Sequence, residues 1–139
     1  MNIMYENKIA IVIHKSLYDW QKLNVTAFLA SSVAIAFPET HGAALVSATG
    51  TVYLPFMKHP ILVYAAGSDE QLRRAFSRAV ERGLHLGIYT RDLFGTKNEE
   101  GNLAEIAKHP DAGLGLVGIV IYGENKKVDK AVDKLNFHA

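Results

Sequence analysis

Continuous apolar runs alternate with helix-like segments along this 139-residue chain. Runs rich in Ile, Val and Leu are typical of strands that are buried on both faces of a sheet, whereas apolar residues three and four apart are typical of helices. The apolar runs predict four main strands, at 8–14, 60–66, 84–90 and 114–122. The remaining periodic segments predict helices at 22–37, 68–83, 102–108 and 126–135.

The strongest helical signal follows the second predicted strand. Ser68 is a good N-cap, Gln71 completes a capping box, and Gly83 is a typical residue just past a helix end. Apolar residues with the spacing of a helix face that lies on a sheet stand between them: Leu72, Ala75, Phe76, Ala79 and Val80.

This alternation predicts an α/β protein, with a single-domain mixed sheet of about four main strands and helices on both faces. Residues 39–59 interrupt the alternation. Two short apolar stretches there flank Ala48–Gly50, which predicts an inserted hairpin with glycine at its turn. No repeat, linker or low-complexity tract divides residues 1–139, so we expect one domain.

Composition adds exclusions to this picture. The chain has 49% hydrophobic and 21% charged residues, a formal net charge of +1 and no cysteine. These values suit a packed core, lack the basic signature of a nucleic-acid-binding domain, and exclude disulfides, thiolate metal sites and a cysteine nucleophile. The apolar run 25–38 is too short to span a bilayer. Residues 1–8 do not resemble a secretory leader, so we expect a cytoplasmic location.

Two patterns resemble cofactor or metal sites. Gly113–Gly118 reads G-x-G-x-x-G, but a dinucleotide fingerprint opens a helix, whereas these glycines lead into the last predicted strand. Six histidines are spread along the chain without metal-site spacing, so the sequence gives little support to a zinc site. His41 and His59 flank the hairpin, either as neighbours in space or as separate surface histidines. We therefore expect no cofactor and no metal.

Arginines recur on one face of the predicted helix 68–83, at Arg74, Arg78 and Arg82. In one interpretation this face is solvated, and Glu70 pairs with Arg74 across one helical turn. In the other, the arginines contact phosphate, which makes Arg74 and Arg78 candidate substrate-binding residues and tRNA a candidate partner.

The segment 88–101 begins as a strand and breaks into a polar loop that carries Asp92 and Thr96. Open α/β sheets usually place their chemistry at the carboxyl ends of strands. An acidic and a hydroxyl side chain four residues apart at such an end therefore indicate a candidate site.

The order of these elements gives the chain a resemblance to the type II peptidyl-tRNA hydrolases. It is closer still to an uncharacterised bacterial family that shares their fold. Trp20–Ala30 (Trp-Gln-Lys-Leu-Asn-Val-Thr-Ala-Phe-Leu-Ala) occupies the place of the hydrolases' Gly-Lys-x-Ala-Ala-Gln helix start. Asp92–Thr96 (Asp-Leu-Phe-Gly-Thr) occupies that of their Asp-Ala-Gly-x-Thr loop. The resemblance covers most of the chain except 39–59.

The resemblance implies hydrolysis of the ester that joins an amino acid or a peptide to tRNA. By position, Lys22, Asp92 and Thr96 match residues implicated in that cleavage. Lys22 would stabilise the oxyanion, Asp92 would orient or deprotonate a water, and Thr96 would position that water. Asn24 and Asn98 would supply further hydrogen-bond donors to the substrate.

The chain departs from the hydrolase pattern at several positions. Gln21 stands in place of a glycine, Thr26 in place of a glutamine, and Leu93–Phe94 in place of an Ala-Gly pair. These departures favour an alternative function, a non-catalytic small-ligand-binding or homo-oligomeric interaction module on the same fold.

In that alternative the same residues have structural roles. Asp92 and Thr96 are turn residues, Lys22 is solvated, and Asn24 caps a helix. Apolar residues at the base of the hairpin then predict a homodimer interface: Leu54, Phe56 and Met57.

Overall fold

A computed structural model describes residues 5–139, and residues 1–4 of the polar N-terminal segment lie outside it. Five strands form the main sheet, in the order β5-β6-β1-β4-β7. They are β1 (Asn7–His14), β4 (Ile61–Ala66), β5 (His85–Thr90), β6 (Leu116–Glu124) and β7 (Asn136–Phe137). The chain is thus a mixed α/β single domain.

Strand β1 lies at the centre of the sheet. It runs parallel to β4 and antiparallel to β6, so that Ile11 pairs with Val63 on one side and with Val120 on the other. Its side chains are covered on both faces, which explains why its sequence is continuously apolar. Because β5 is antiparallel to β6, the strands β1, β4 and β5 all end at the same edge of the sheet.

Helices cover both faces of the sheet, as predicted. Helix α1 (Asp19–Ala36) packs Val25, Leu29 and Val33 on the face that carries Ile9, Ile11 and Ile13. Helices α2 (Asp69–Glu81) and α4 (Asn125–Ala131) pack on the opposite face. Helix α3 (Glu99–Ala107) follows β5 through a 3-10 turn at Arg91–Gly95. Within the described residues, no helix is long and apolar enough to cross a membrane.

The predicted hairpin is present as a separate two-stranded sheet of β2 (Leu45–Val46) and β3 (Val52–Tyr53). Gly50 at its turn has a φ of 88°, a conformation that favours glycine. Both strands are exposed along their length.

Several element boundaries differ from the sequence predictions. Helix α1 begins at Asp19, three residues early, so Trp20 lies on the helix. The segment around Asp92 is a 3-10 turn where we predicted a loop, and α3 begins at Glu99. Helix α4 ends at Ala131, and the positive φ of Lys134 redirects the chain into β7. The sheet therefore has five strands, one more than predicted.

Candidate functional site

A groove of about 640 Å³ lies between α1, the end of β5 and α3, and we call it the aromatic groove. One wall is the α1 stripe of Trp20, Asn24, Phe28, Ser31, Ser32 and Ile35. The opposite wall is supplied by the 3-10 turn and by α3, and includes Leu93, Phe94, Thr96, Asn98, Asn102 and Leu103. The spacing of three and four residues places the first set on one side of α1.

Four aromatic rings form a continuous surface in this groove. The Trp20 ring meets Phe94 edge-on with 5.8 Å between ring centroids, Phe94 lies 5.2 Å from Tyr89, and Tyr89 lies 6.0 Å from Phe28. Trp20 and Phe28 nevertheless remain 60% and 54% exposed. Burial raises the pKa of Tyr89 above its ordinary value, so its phenol is neutral at neutral pH.

Three of the predicted site residues line this groove: Asn24, Thr96 and Asn98. Asn98 is the N-cap of α3, and its Oδ1 accepts a hydrogen bond from the Gly101 N–H at 2.8 Å. The Thr96 hydroxyl is 2.7 Å from the Leu93 carbonyl oxygen and also contacts Asn102. Asn98 and Thr96 therefore stabilise the turn and the start of α3, and their roles toward a substrate stay predictions.

Asp92 lies beside the groove in a set of titratable side chains that we call the acid–histidine cluster (Asp92, Glu105, His109). The His109 Nε2 is 3.7 Å from Asp92 Oδ2 and 3.7 Å from Glu105 Oε1. One ligand atom from each residue lies within 4.8 Å of the other two. Carboxylates and an imidazole in this arrangement can relay a proton or ligate a divalent cation such as zinc.

Lys108 also bonds the cluster, with its Nζ 3.1 Å from Glu105 Oε2. That hydrogen bond, assisted by His109, lowers the pKa of Glu105 below its ordinary value. Glu105 is therefore ionised at neutral pH and contacts both Lys108 and His109 at the end of α3.

Lys22 lines a different groove, of about 670 Å³, together with Asp19, Thr26 and His138. The two grooves are lined by different sides of α1. Lys22 and Thr96 therefore line different grooves. The catalytic role of Lys22 stays a prediction.

The arginines of the predicted face on α2 also differ in their contacts. Arg78 donates to the Asp133 carbonyl oxygen at 3.4 Å, whereas Arg74 lines a third groove, of about 530 Å³, beside Asp69. The expected pairing of Glu70 with Arg74 is wrong: among the described residues, no carboxylate lies within 4.0 Å of the Arg74 guanidinium. Arg74 and Arg78 therefore have separate surroundings, although both belong to the predicted arginine face.

His14, which the sequence did not single out, is buried and only 8% exposed. It ends β1, and both ring nitrogens have partners, Asp69 Oδ1 at 2.9 Å and Ser16 Oγ at 2.8 Å. Its place at the end of a continuously apolar strand is the one sequence signal that favours burial, and its partner Asp69 has no such signal.

The glycine motif is explained by packing. Gly118 lies within β6, as predicted for a motif that leads into a strand. A Cβ on Gly118 would lie 2.7 Å from Val25 Cγ1 and 3.1 Å from Leu29 Cδ1. The glycine therefore allows α1 to approach the sheet closely.

Comparisons with known proteins identify a family and give no activity. A family model described as a protein of unknown function, DUF2000, matches residues 7–139. A solved structure of a protein of unknown function from Agrobacterium tumefaciens strain C58 is similar, with 32% sequence identity and a TM-score of 0.92. That similarity covers 98% of this chain and 100% of the other. No curated protein matches the chain.

Proposed function

For a chain that belongs to the DUF2000 family of proteins of unknown function, we propose that the aromatic groove binds a small ligand. The observation that carries this proposal is a concave surface on which large apolar side chains remain exposed. Leu103 on the α3 wall is 66% exposed, opposite the exposed Trp20 and Phe28. Apolar residues gathered in a groove, with a few polar groups among them, are typical of ligand sites.

The groove also defines the class of ligand. Lys97 and Glu99 both line it, so their charges offset each other, and its other polar side chains are neutral amides and hydroxyls. A flat ring can stack against Trp20 and Phe28, while a polar end can bond an amide such as that of Asn24. The ligand is therefore an uncharged aromatic amphiphile.

Trp20 is the only tryptophan in the chain and lies in the groove, so its fluorescence reports on occupancy. The neutral probe N-phenyl-1-naphthylamine is expected to bind, brighten and receive energy transfer from Trp20. Leu103→Glu places a charge on the apolar wall and is expected to weaken binding about tenfold, equivalent to about 1.4 kcal/mol.

Phe56→Glu is the matched control, because Phe56 is also exposed but lies near the hairpin, outside the groove. It should leave the probe affinity unchanged. Equal affinity in both variants, or a loss in Phe56→Glu alone, would reject the aromatic groove as the binding site.

A second candidate function, hydrolysis of an aminoacyl- or peptidyl-tRNA-type ester, is favoured by the acid–histidine cluster. Asp92 and His109 can accept and pass a proton beside a groove that would hold the apolar acyl group. A type II peptidyl-tRNA hydrolase-like fold, with Lys22 as a cation and Arg74 and Arg78 as phosphate contacts, belongs to this proposal.

The hydrolase function is tested by release of amino acid or peptide from a panel of charged tRNAs. Loss of the base in Asp92→Asn should slow release about a hundredfold. Glu100→Gln, at an exposed carboxylate in the first turn of α3 that does not line the groove, should not. Equally slow release by the wild type and Asp92→Asn would reject the hydrolase and leave the binding proposal standing.

A further inference from the structure

Three side chains form a hydrogen-bonded chain at the edge of the sheet where β1 ends, and we call it the Ser16–His14–Asp69 chain. The Ser16 Oγ lies 2.8 Å from His14 Nδ1, and His14 Nε2 lies 2.9 Å from Asp69 Oδ1. Asp69 comes from α2, 55 residues further along the sequence, so the fold and not a local turn brings it to the histidine.

The backbone determines which nitrogen of His14 carries the proton. The Ser16 N–H donates to Nδ1 at 3.2 Å, so Nδ1 is an acceptor. The proton of the neutral ring is then on Nε2, where it is donated to the Asp69 carboxylate. A histidine with one nitrogen held by a carboxylate and the other facing a serine hydroxyl is arranged as a general base for that hydroxyl.

Burial differs along the chain in a way that suits catalysis. The His14 side chain is only 10% exposed, and the packing of β1 and α2 therefore fixes its ring. Ser16 is exposed, in the loop between β1 and α1, so a substrate can reach its hydroxyl. Helix α1 begins three residues later, and the first-turn amides of a helix lack intrahelical acceptors, so they are candidate donors to an oxyanion.

Asp69 connects this chain to a groove. It lines the cavity of about 530 Å³ that also contains Arg74, and that guanidinium has no carboxylate within 4.0 Å among the described residues. Arg73 in the same cavity is already engaged, since it donates to the carbonyl oxygens of Asp111 and Leu114. Arg74 is therefore the cation that can bind an anionic group of a ligand.

We propose that Ser16 is the nucleophile of a second site, which hydrolyses carboxylic esters whose acyl group carries an anion. His14 Nδ1 takes the hydroxyl proton as Ser16 Oγ bonds the acyl carbon. The alkoxide leaves with that proton, and a water then releases the acid and restores Ser16. Asp69 is a positioning residue that orients His14, and Arg74 binds the acyl anion. This site is separate from the aromatic groove.

A fluorophosphonate probe tests the nucleophile, because the Ser16 oxygen displaces fluoride and keeps the phosphonyl group. Intact-mass and peptide analysis should locate one adduct at Ser16, absent in Ser16→Ala. Asp69→Asn should slow labelling about a hundredfold, and Asp69→Glu should recover part of the rate. Because the Asp69 side chain is 90% exposed, these variants should fold.

Glu81→Gln is the control, since Glu81 is an exposed carboxylate on α2 that neither lines the Arg74 cavity nor bonds His14. It should label at the wild-type rate. The p-nitrophenyl esters of acetate and succinate test the ligand class, and Arg74→Gln should raise the KM for the succinate ester alone. A folded protein without a Ser16 adduct, or one whose labelling rate ignores Asp69→Asn, would overturn the proposal.

Discussion

Glu105 has the best-defined electrostatic environment of any carboxylate in the acid–histidine cluster. The hydrogen bond from Lys108 is the main cause of its lowered pKa, and His109 adds to it. Because the folded-state pKa lies below the unfolded-state value, the stabilisation is complete above the ordinary value of 4.5 and is lost as the pH falls through the folded-state value.

Lys108→Gln should therefore raise the pKa of Glu105 toward 4.5, since it removes the strongest favourable partner of the carboxylate. The side-chain carboxyl carbon shift of Glu105, followed by NMR through an acid titration, measures this. Lys97→Gln serves as the control, because Lys97 is exposed and makes no ion pair among the described residues. An unchanged Glu105 pKa in Lys108→Gln would show that the contact has no effect in solution.

At single residues, sequence reasoning identified side-chain types better than their partners. It selected Asn98 and Thr96 as site residues, and both line the aromatic groove. Their hydrogen bonds, however, are with nearby backbone groups and, for Thr96, also with the Asn102 side chain, which the sequence could not distinguish from bonds to a substrate. His14 was missed because its partner Asp69 is distant in the sequence and only the fold brings the two together.

At the scale of elements, the contact between α1 and β6 depends on a glycine. Gly118→Ala should destabilise the protein by about 1–3 kcal/mol, because the new methyl group would overlap Val25 and crowd Leu29. Urea unfolding of the two proteins measures the difference. Gly115→Ala, where an added Cβ meets nothing within 4 Å, should be close to neutral. Equal losses for both variants would contradict close packing as the cause.

The strands β1, β4 and β6 were predictable because they are apolar runs in the middle of the sheet. The end of the chain was not. Residues 126–135 are charged and helix-compatible, but Lys134 takes a positive φ, and Asn136–Phe137 pair with β4. Phe137 stacks on Tyr64 with 5.0 Å between centroids, a long-range contact with no local signal in the sequence.

At the scale of the whole molecule, the hairpin is the least covered part. Phe56 is 72% exposed, and an isolated pair of two-residue strands is only marginally stable in water. We predict a homodimer that buries this hairpin against a second copy, and Phe56→Glu should dissociate it. Sedimentation equilibrium measures the mass.

Val80→Glu is the control for dimerisation, because Val80 is an exposed apolar residue on α2 rather than on the hairpin. A wild-type protein that remains monomeric at high concentration would contradict the predicted interface. So would a dimer that Phe56→Glu leaves intact.

The sequence could predict at which edge of the sheet the candidate residues lie, but not which of them are neighbours there. The carboxyl ends of β1, β4 and β5 share that edge, as their directions require. Lys22 could share a groove with Thr96 only if it lay on the side of α1 that faces the 3-10 turn and α3. Lys22 lies three residues before the buried Val25, whereas Trp20 and Asn24 belong to the exposed stripe, so they line different grooves.

An NMR titration of the isotope-labelled protein with N-phenyl-1-naphthylamine tests directly whether the aromatic groove binds a ligand. Binding in the aromatic groove should cause saturable shifts of the Trp20 indole N–H and of backbone amides in α1, in the 3-10 turn Arg91–Gly95 and in α3. Amides of the hairpin should not move. Saturable shifts confined to the hairpin, or a Trp20 signal that does not respond at saturating probe, would contradict a ligand site in the aromatic groove.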